Sequence, residues 1–142
     1  MSSLYLLVRI DRKLAAFDSG IVDSVIEIDE IFPVPGAPDH VTGITAVRSQ
    51  SLTVIDACRV LGVDRNARGE RAVVFRSSGH SYALHVDFVE DVVEVSGSPE
   101  HIAGGYGAAW RDASAGLLET PEGPAVLLDP IRMIDPAESR AA

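Results

Sequence analysis

At 142 residues, 46% of them hydrophobic and with a formal net charge of −9, the chain has the length of one ordinary domain. Its negative field argues against a nucleic-acid or anionic-membrane partner, because phosphate contacts would form against the protein's own charge. A single cysteine, Cys58, excludes an internal disulfide and a cysteine-cluster metal site, and it fits a reducing, cytosolic compartment.

The first apolar run, residues 4–8, is cut by Arg9 and Asp11, too short for a signal-peptide core or a bilayer span. Any membrane contact is therefore expected to pass through a partner. Residues 4–10 and 14–17 predict two strands about the charged Asp11-Arg12-Lys13 turn. The run 21–31 has Val22, Val25 and Ile26 at helical spacing, but its β-branched density and scattered acids favour one or two strands. Residues 32–39 carry three prolines and predict an extended loop.

Residues 41–62, VTGITAVRSQSLTVIDACRVLG, predict two strands joined by a polar break at 48–51. Asp56 is placed to cap a short helix by accepting from the amides of Cys58 or Arg59, and Gly62 suits the left-handed residue that closes it. The polar stretch 62–71 is the expected link between two halves. Strands follow at 72–75, 82–89 and 92–95; residues 103–109 form a glycine-rich loop; residues 117–118 lead into the turn of 120–124 and a last strand at 125–128. Short, closely spaced strands read as an all-β protein, either barrels or a sandwich.

An internal echo refines this. Residues 54–61 and 127–134 share a strand, an Asp cap, an arginine three positions on and an apolar pair, about half a chain apart. In the second copy Asp129 is the cap and Pro130 takes the first helical position, where its missing donor costs nothing. Two similar half-domains are predicted, 11–71 and 72–136, each closed by a short helix, with strand 3–10 shared or joined to the second.

Catalytic readings are weaker than structural ones. His85 and Asp87 stand two apart on the strand 82–89, and with His80 or His101 they would be the candidate metal ligands. Leu84, Val86 and Phe88 alternate with them as a core stripe, which puts His85 and Asp87 on the solvent side. Gly104-Gly105-Tyr106-Gly107 has no Gly-Lys-Ser/Thr after it and is expected to be a tight loop rather than a phosphate cradle. Cys58, near a helix start, is expected to be a small buried residue rather than a nucleophile. Asp87, Glu90, Asp91 and Glu94 read as a solvated acidic edge. No enzyme activity, cofactor or metal is predicted; a small β-barrel enzyme using His85 and Asp87 is the remote alternative.

The pattern of 41–62 resembles the CheW family of chemotaxis coupling proteins, in which Gly-(apolar)-x-x-(apolar)-Arg-Gly precedes Pro-(apolar)-(apolar)-Asp-Leu-Arg-x-x-Leu-Gly. Gly43, Arg48, Asp56, Leu61 and Gly62 fall on it, while Ser49, Thr53 and Cys58 replace its Gly, Pro and Arg. Residues 82–92 and 126–134 resemble the family's later strand and closing helix, and Val22 and Val25 an upstream segment whose Glu is here Ser24. The resemblance implies two five-stranded SH3-like barrels sharing a core. It further implies a cytoplasmic, bacterial, non-enzymatic scaffold at chemoreceptor arrays, joining the receptors' cytoplasmic tip to the regulatory domain of the histidine kinase CheA, with other CheW-like proteins as further neighbours. Val22, Arg48 and Val73 are implied on the receptor side, and Gly43 and Ile44 at the kinase-facing hairpin. The alternative is a divergent member that occupies receptor or kinase without activating it.

Overall fold

A computed structural model describes residues 2–102 and 104–134. Ala103, where the predicted glycine-rich loop begins, and residues 135–136 of the predicted second half lie outside them. Ten strands and three short helices run β1 (Ser2–Ile10), β2 (Lys13–Asp18), β3 (Ser24–Glu27), β4 (Val41–Val47), β5 (Gln50–Asp56), α1 (Ala57–Val60), β6 (Arg71–Ser77), β7 (His80–His85), β8 (Phe88–Ser96), α2 (Ala108–Ala113), β9 (Ser114–Thr120), β10 (Gly123–Leu128) and α3 (Pro130–Ile134).

The strands form two five-stranded sheets. The central sheet, in the order β3-β6-β7-β5-β4, uses residues 24–85; the terminal sheet, β8-β1-β2-β10-β9, uses both ends of the chain. Each sheet is built from the same parts: a tight hairpin, a second hairpin and one added edge strand. The second strand of one hairpin lies parallel to the second strand of the other, β5 on β7 and β10 on β2. The echo seen in the sequence is thus a repeat of topology, since β5 ends at Asp56, β10 is followed by Asp129, and each leads into a short helix. Among the described residues no ladder joins β8 to β9 or β3 to β4, so the sheets have an SH3-like layout without closing into barrels.

The predicted cut at residue 71 does not separate the sheets. It falls at the start of β6, which pairs with β3 on one side and β7 on the other, so β6 and β7 complete the first sheet rather than open the second. Likewise residues 62–71 do not link two halves; they connect α1 to β6 within one sheet. β1 lies in the same sheet as β8, β9 and β10.

Three tight turns set the hairpin registers. Asp11 and Arg12 (φ 50° and 66°), Arg48 and Ser49 (51° and 69°), and Ser78 with Gly79 all have positive φ, as two-residue type I′ connections require. The predicted four-residue break at 48–51 is therefore a two-residue turn, with Val47 paired to Gln50.

Burial occurs on both faces of both sheets, which explains why β1 reads as a continuous apolar run rather than an alternating one. Tyr5, Leu7, Leu14, Ala16, Leu118 and Ala125 fill the outer core of the terminal sheet, and Leu52, Val54, Ala72, Val74 and Ala83 that of the central sheet. The larger shared core lies between the sheets, where Phe17 meets Phe75 at a centroid distance of 5.1 Å. The helices contribute Cys58, Trp110 and Met133 to it. Helix α2 has no side-chain cap and follows a glycine-rich stretch, so no start signal marks it in the sequence; burial of Trp110, with Lys13 Nζ 5.6 Å from its ring, holds it in place.

The predicted strand 82–89 is two strands. The chain leaves the central sheet at His85, crosses at Val86-Asp87 and enters the terminal sheet at Phe88. This crossover breaks the expected Leu84-Val86-Phe88 stripe: Leu84 and Val86 are buried, but Phe88 is 60% exposed.

Candidate partner-binding surfaces

Arg48 occupies the tip of the β4–β5 hairpin, exposed, and among the described residues it makes no ion pair. Because β5 and β7 are parallel, this tip lies at the same end of the central sheet as the Ser78-Gly79 turn. The antiparallel β3–β6 pairing brings residues 21–23 to that end as well, with the Asp23 amide donating to the Val74 carbonyl at 2.8 Å. Val22 there is half-buried against the shared core. Val73 does not join this surface. It is fully buried on β6 between Val25 and Leu84, facing the shared core, and a partner could reach it only by separating the sheets.

Beside this end a groove of ≈ 350 Å³ opens at the seam between the sheets. Ile21, Phe75 and Arg76 form one wall, Leu127, Ile131 and Ile134 the other, with Asp18 and Asp129 at its rim. Ile21 and Ile131 are 48% and 62% exposed, an apolar investment that the fold itself leaves unburied. Nothing in the sequence pattern distinguished these two isoleucines from core residues. The wall that carries Ile131 is set by Asp129, whose carboxylate accepts from the Ile131 amide at 3.0 Å, and by Pro130 as the first residue of α3.

Gly43 and Ile44 lie on β4, the edge strand of the hairpin whose tip carries Arg48. Segment 31–32 crosses Gly43 so closely that a Cβ there would sit 2.3 Å from the Phe32 carbonyl oxygen. Phe32 and Ile44 exchange backbone hydrogen bonds of 2.8 and 2.9 Å, which covers part of the free strand edge. Their side chains, 56% and 38% exposed, make an apolar surface on the hairpin.

The remaining polar residues are engaged structurally. Asp56 caps α1, accepting from Cys58 and Arg59 at 3.0 and 3.4 Å, and also from the amide of Ala67. Gly62, with φ 77°, follows the last helical turn; its amide donates to Arg59 and that of Val63 to Cys58, a Schellman closure. Asp87, expected at the solvent, is instead a hub. It accepts a two-pronged contact from Arg65 at 2.8 and 3.0 Å, and bonds from the amides of Asp11 and Arg68, both at 2.8 Å. Burial alone would raise its carboxyl, but these donors hold it well below the usual carboxylate range. His85 donates to the Gly69 carbonyl across 2.6 Å, so His85 and Asp87 both serve to hold the 65–69 loop. No group of three metal-ligating side chains occurs among the described residues.

Cys58 is fully buried against this hub, its sulfur 3.6 Å from Asp87 Oδ2 and 3.7 Å from Arg65 Nη1. Burial first, then the charge of Asp87, push its thiol up to about 12, which leaves it protonated and unreactive at neutral pH.

This architecture has relatives. A scaffolding protein, TtCheW from Thermoanaerobacter tengcongensis, superposes with a TM-score of 0.80 at 20% identity, covering 91% of this chain and 85% of its own. The chemotaxis protein CheW of Thermotoga maritima is 26% identical over 88 residues, 61% of this chain and 58% of that protein's length. The family model of the CheW-like domain matches residues 4–138. The chain belongs to the CheW-like domain family.

Within a CheW-like domain, the four positions that depart from the family pattern now have surroundings. Ser24 is exposed on β3 opposite Val74, and Thr53 is paired on both sides, to Ile44 and Tyr82. Cys58 sits within reach of Asp87, and Arg65 brings a guanidinium to the same carboxylate from the following loop. Ser49 holds a left-handed backbone, φ 69°, at a position where glycine is the family residue. Ser49→Gly is therefore expected to raise stability by about 0.5–1 kcal/mol, the strain removed less glycine's greater chain entropy. Chemical denaturation would register this as a higher midpoint at unchanged slope.

Proposed function

We propose that this chain is a chemotaxis coupling protein of the cytoplasm, a non-enzymatic scaffold that holds chemoreceptors and the histidine kinase CheA together. The observation that carries the reading is the seam groove. An apolar trough walled by two rigid sheets, with exposed Ile21 and Ile131 and charged rims, suits one face of an amphipathic helix, and a receptor tip is a helical hairpin. Val22, next to Ile21, would border such a helix, and Arg48, at the same end of the central sheet but outside the groove's lining, would offer its fork to a carboxylate farther along the partner. The Phe32–Ile44 surface, on the β4 edge across the sheet from Val22, suits a second, flatter contact, and we assign it to the CheA regulatory domain. Two separate surfaces on one rigid body raise the effective concentration of the two partners for each other. Recruitment to membrane-associated arrays, and contact there with other CheW-like proteins, would follow from these contacts.

The deciding experiment titrates the protein with the CheA regulatory domain of the same organism and, separately, with a receptor signalling fragment. Ile44→Asp is expected to abolish the first interaction and spare the second. Arg48→Glu and Ile131→Asp should do the reverse, each with thermal stability within about 0.5 kcal/mol of the parent because all three side chains are exposed. Failure of the parent to bind either partner would dismiss the coupling role. Binding without kinase activation in a reconstituted mixture would instead favour a competitor, a reading that Ser24 and Ser49 motivate because both lie toward the surfaces used.

A further inference from the structure

Helix α3 carries one wall of the seam groove, and most of what holds it belongs to its own half of the molecule. The Asp129 amide donates to the Ala113 carbonyl at 2.8 Å, Arg132 Nη1 donates to the Ser114 carbonyl at 3.0 Å, and Met133 is fully buried in the shared core. On the facing wall, Phe75 and Arg76 stand on β6 of the central sheet. Among the described residues one hydrogen bond joins α3 to the central half: His40 Nε2 lies 3.2 Å from the carbonyl oxygen of Ile134, which ends the helix and lines the groove. A carbonyl only accepts, so Nε2 carries the proton and donates it to one of the terminal carbonyls that a helix cannot satisfy itself.

His40 is itself fixed in place. Its carbonyl accepts from the Asp56 amide at 2.8 Å, where β5 passes into α1. Val41, next in the chain, packs against the shared core, and its amide donates to the Pro38 carbonyl at 2.9 Å. His40 is thus bonded through its backbone to the residue that caps α1 and through its ring to the end of α3, the corresponding helix of the other sheet. Both copies of the repeated strand and capped helix meet on this one residue.

We propose that His40 is the positioning residue of the seam groove. Its ring latches α3 to the central sheet and so sets how far Ile131 and Ile134 stand from Ile21 and Phe75, and with that the breadth of the helix face the groove accepts. The identity of that helix as a receptor tip rests on the coupling role proposed above; the latch itself does not.

The test compares His40→Phe, which keeps an aromatic ring without a donor, with His40→Gln, whose amide nitrogen stands as many bonds from the backbone as Nε2. In methyl-labelled free protein, His40→Phe is expected to shift the resonances of Ile131 and, across the groove, Ile21, and His40→Gln to return them toward the parent's positions. Titrated with the receptor signalling fragment, His40→Phe should bind roughly fivefold more weakly, the worth of one hydrogen bond, and His40→Gln within about twofold of the parent. Affinity for the CheA regulatory domain should be the same in all three. Ile21 and Ile131 resonances unmoved in His40→Phe would overturn the latch, whatever the receptor fragment does. Equal losses of receptor and kinase affinity would also overturn the proposal, marking His40 as a support of the whole fold. So would an unchanged receptor affinity in His40→Phe beside a parent that binds. A parent that binds no receptor fragment, with the methyl shifts as expected, would uphold the latch and dismiss the coupling role instead.

Discussion

Gly43→Ala is expected to cost about 2–4 kcal/mol, in the range of mutations that force a packed backbone to move. The added methyl would lie 2.3 Å from the Phe32 carbonyl oxygen, 2.8 Å from its carbon and 2.9 Å from Ile31 Cγ2. Two of these three atoms belong to backbone, so no rotamer change relieves the clash. Segment 31–32 would have to lift away, breaking the paired Phe32–Ile44 hydrogen bonds, each worth about 1 kcal/mol net. The Thr45 hydroxyl, which donates to the Glu30 carbonyl at 2.8 Å, is tied to the same segment. At roughly 3 °C per kcal/mol for a chain of this size, calorimetry should show unfolding about 6–12 °C lower. A shift below about 2 °C would mean that the crossing is looser than the structure has it. At the kinase contact proposed for this edge, binding should weaken along with stability, because the displaced segment carries Phe32 beside Ile44. Gly43 would then act on a partner through backbone position, having no side chain to offer.

That glycine illustrates what a sequence reveals and what it hides. Its place in a motif was legible; its reason, a second chain segment crossing above it, is a long-range contact with no local signature. Strand positions and the Asp-capped helices were legible because period, caps and turn residues are local signals. Membership in two sheets was less so. The swap at Val86-Asp87 leaves alternation intact through Leu84, Val86 and Phe88, and only the change of sheet turns Phe88 outward. Val73 failed as a contact for the complementary reason: an apolar residue on a strand buried on both faces cannot reveal from sequence which neighbour it meets. Arg65 was missed altogether. It lies in a polar loop, and its importance comes from the carboxylate it finds across 22 positions of sequence.

Asp87 gives the clearest dependence on pH. Its folded carboxyl is held below the ordinary range, so the stabilisation it provides is complete above the unfolded value of about 3.9 and declines as pH falls from there toward the depressed folded value. Asp87→Asn removes the charge, leaves Arg65 without its two-pronged partner and presents an amide where four N–H donors and the Cys58 thiol converge. With the side chains of Asp87 and Arg65 15% and 25% exposed, solvent relieves part of the loss. The expected cost at pH 7 is about 2–3 kcal/mol, below that of breaking a fully buried pair. The variant should lose less further stability than the parent between pH 5 and pH 3, because the group that would have been protonated is gone. Parallel pH profiles, offset by a constant amount, would place the acid sensitivity in other carboxylates. The knot at Asp87 binds the β1–β2 turn, the loop of Arg65 and Arg68, and helix α1 through Cys58, elements of both sheets. Loosening it should therefore broaden the thermal transition as well as lower it, since the two sheets would no longer be tied at the end where the chain crosses between them.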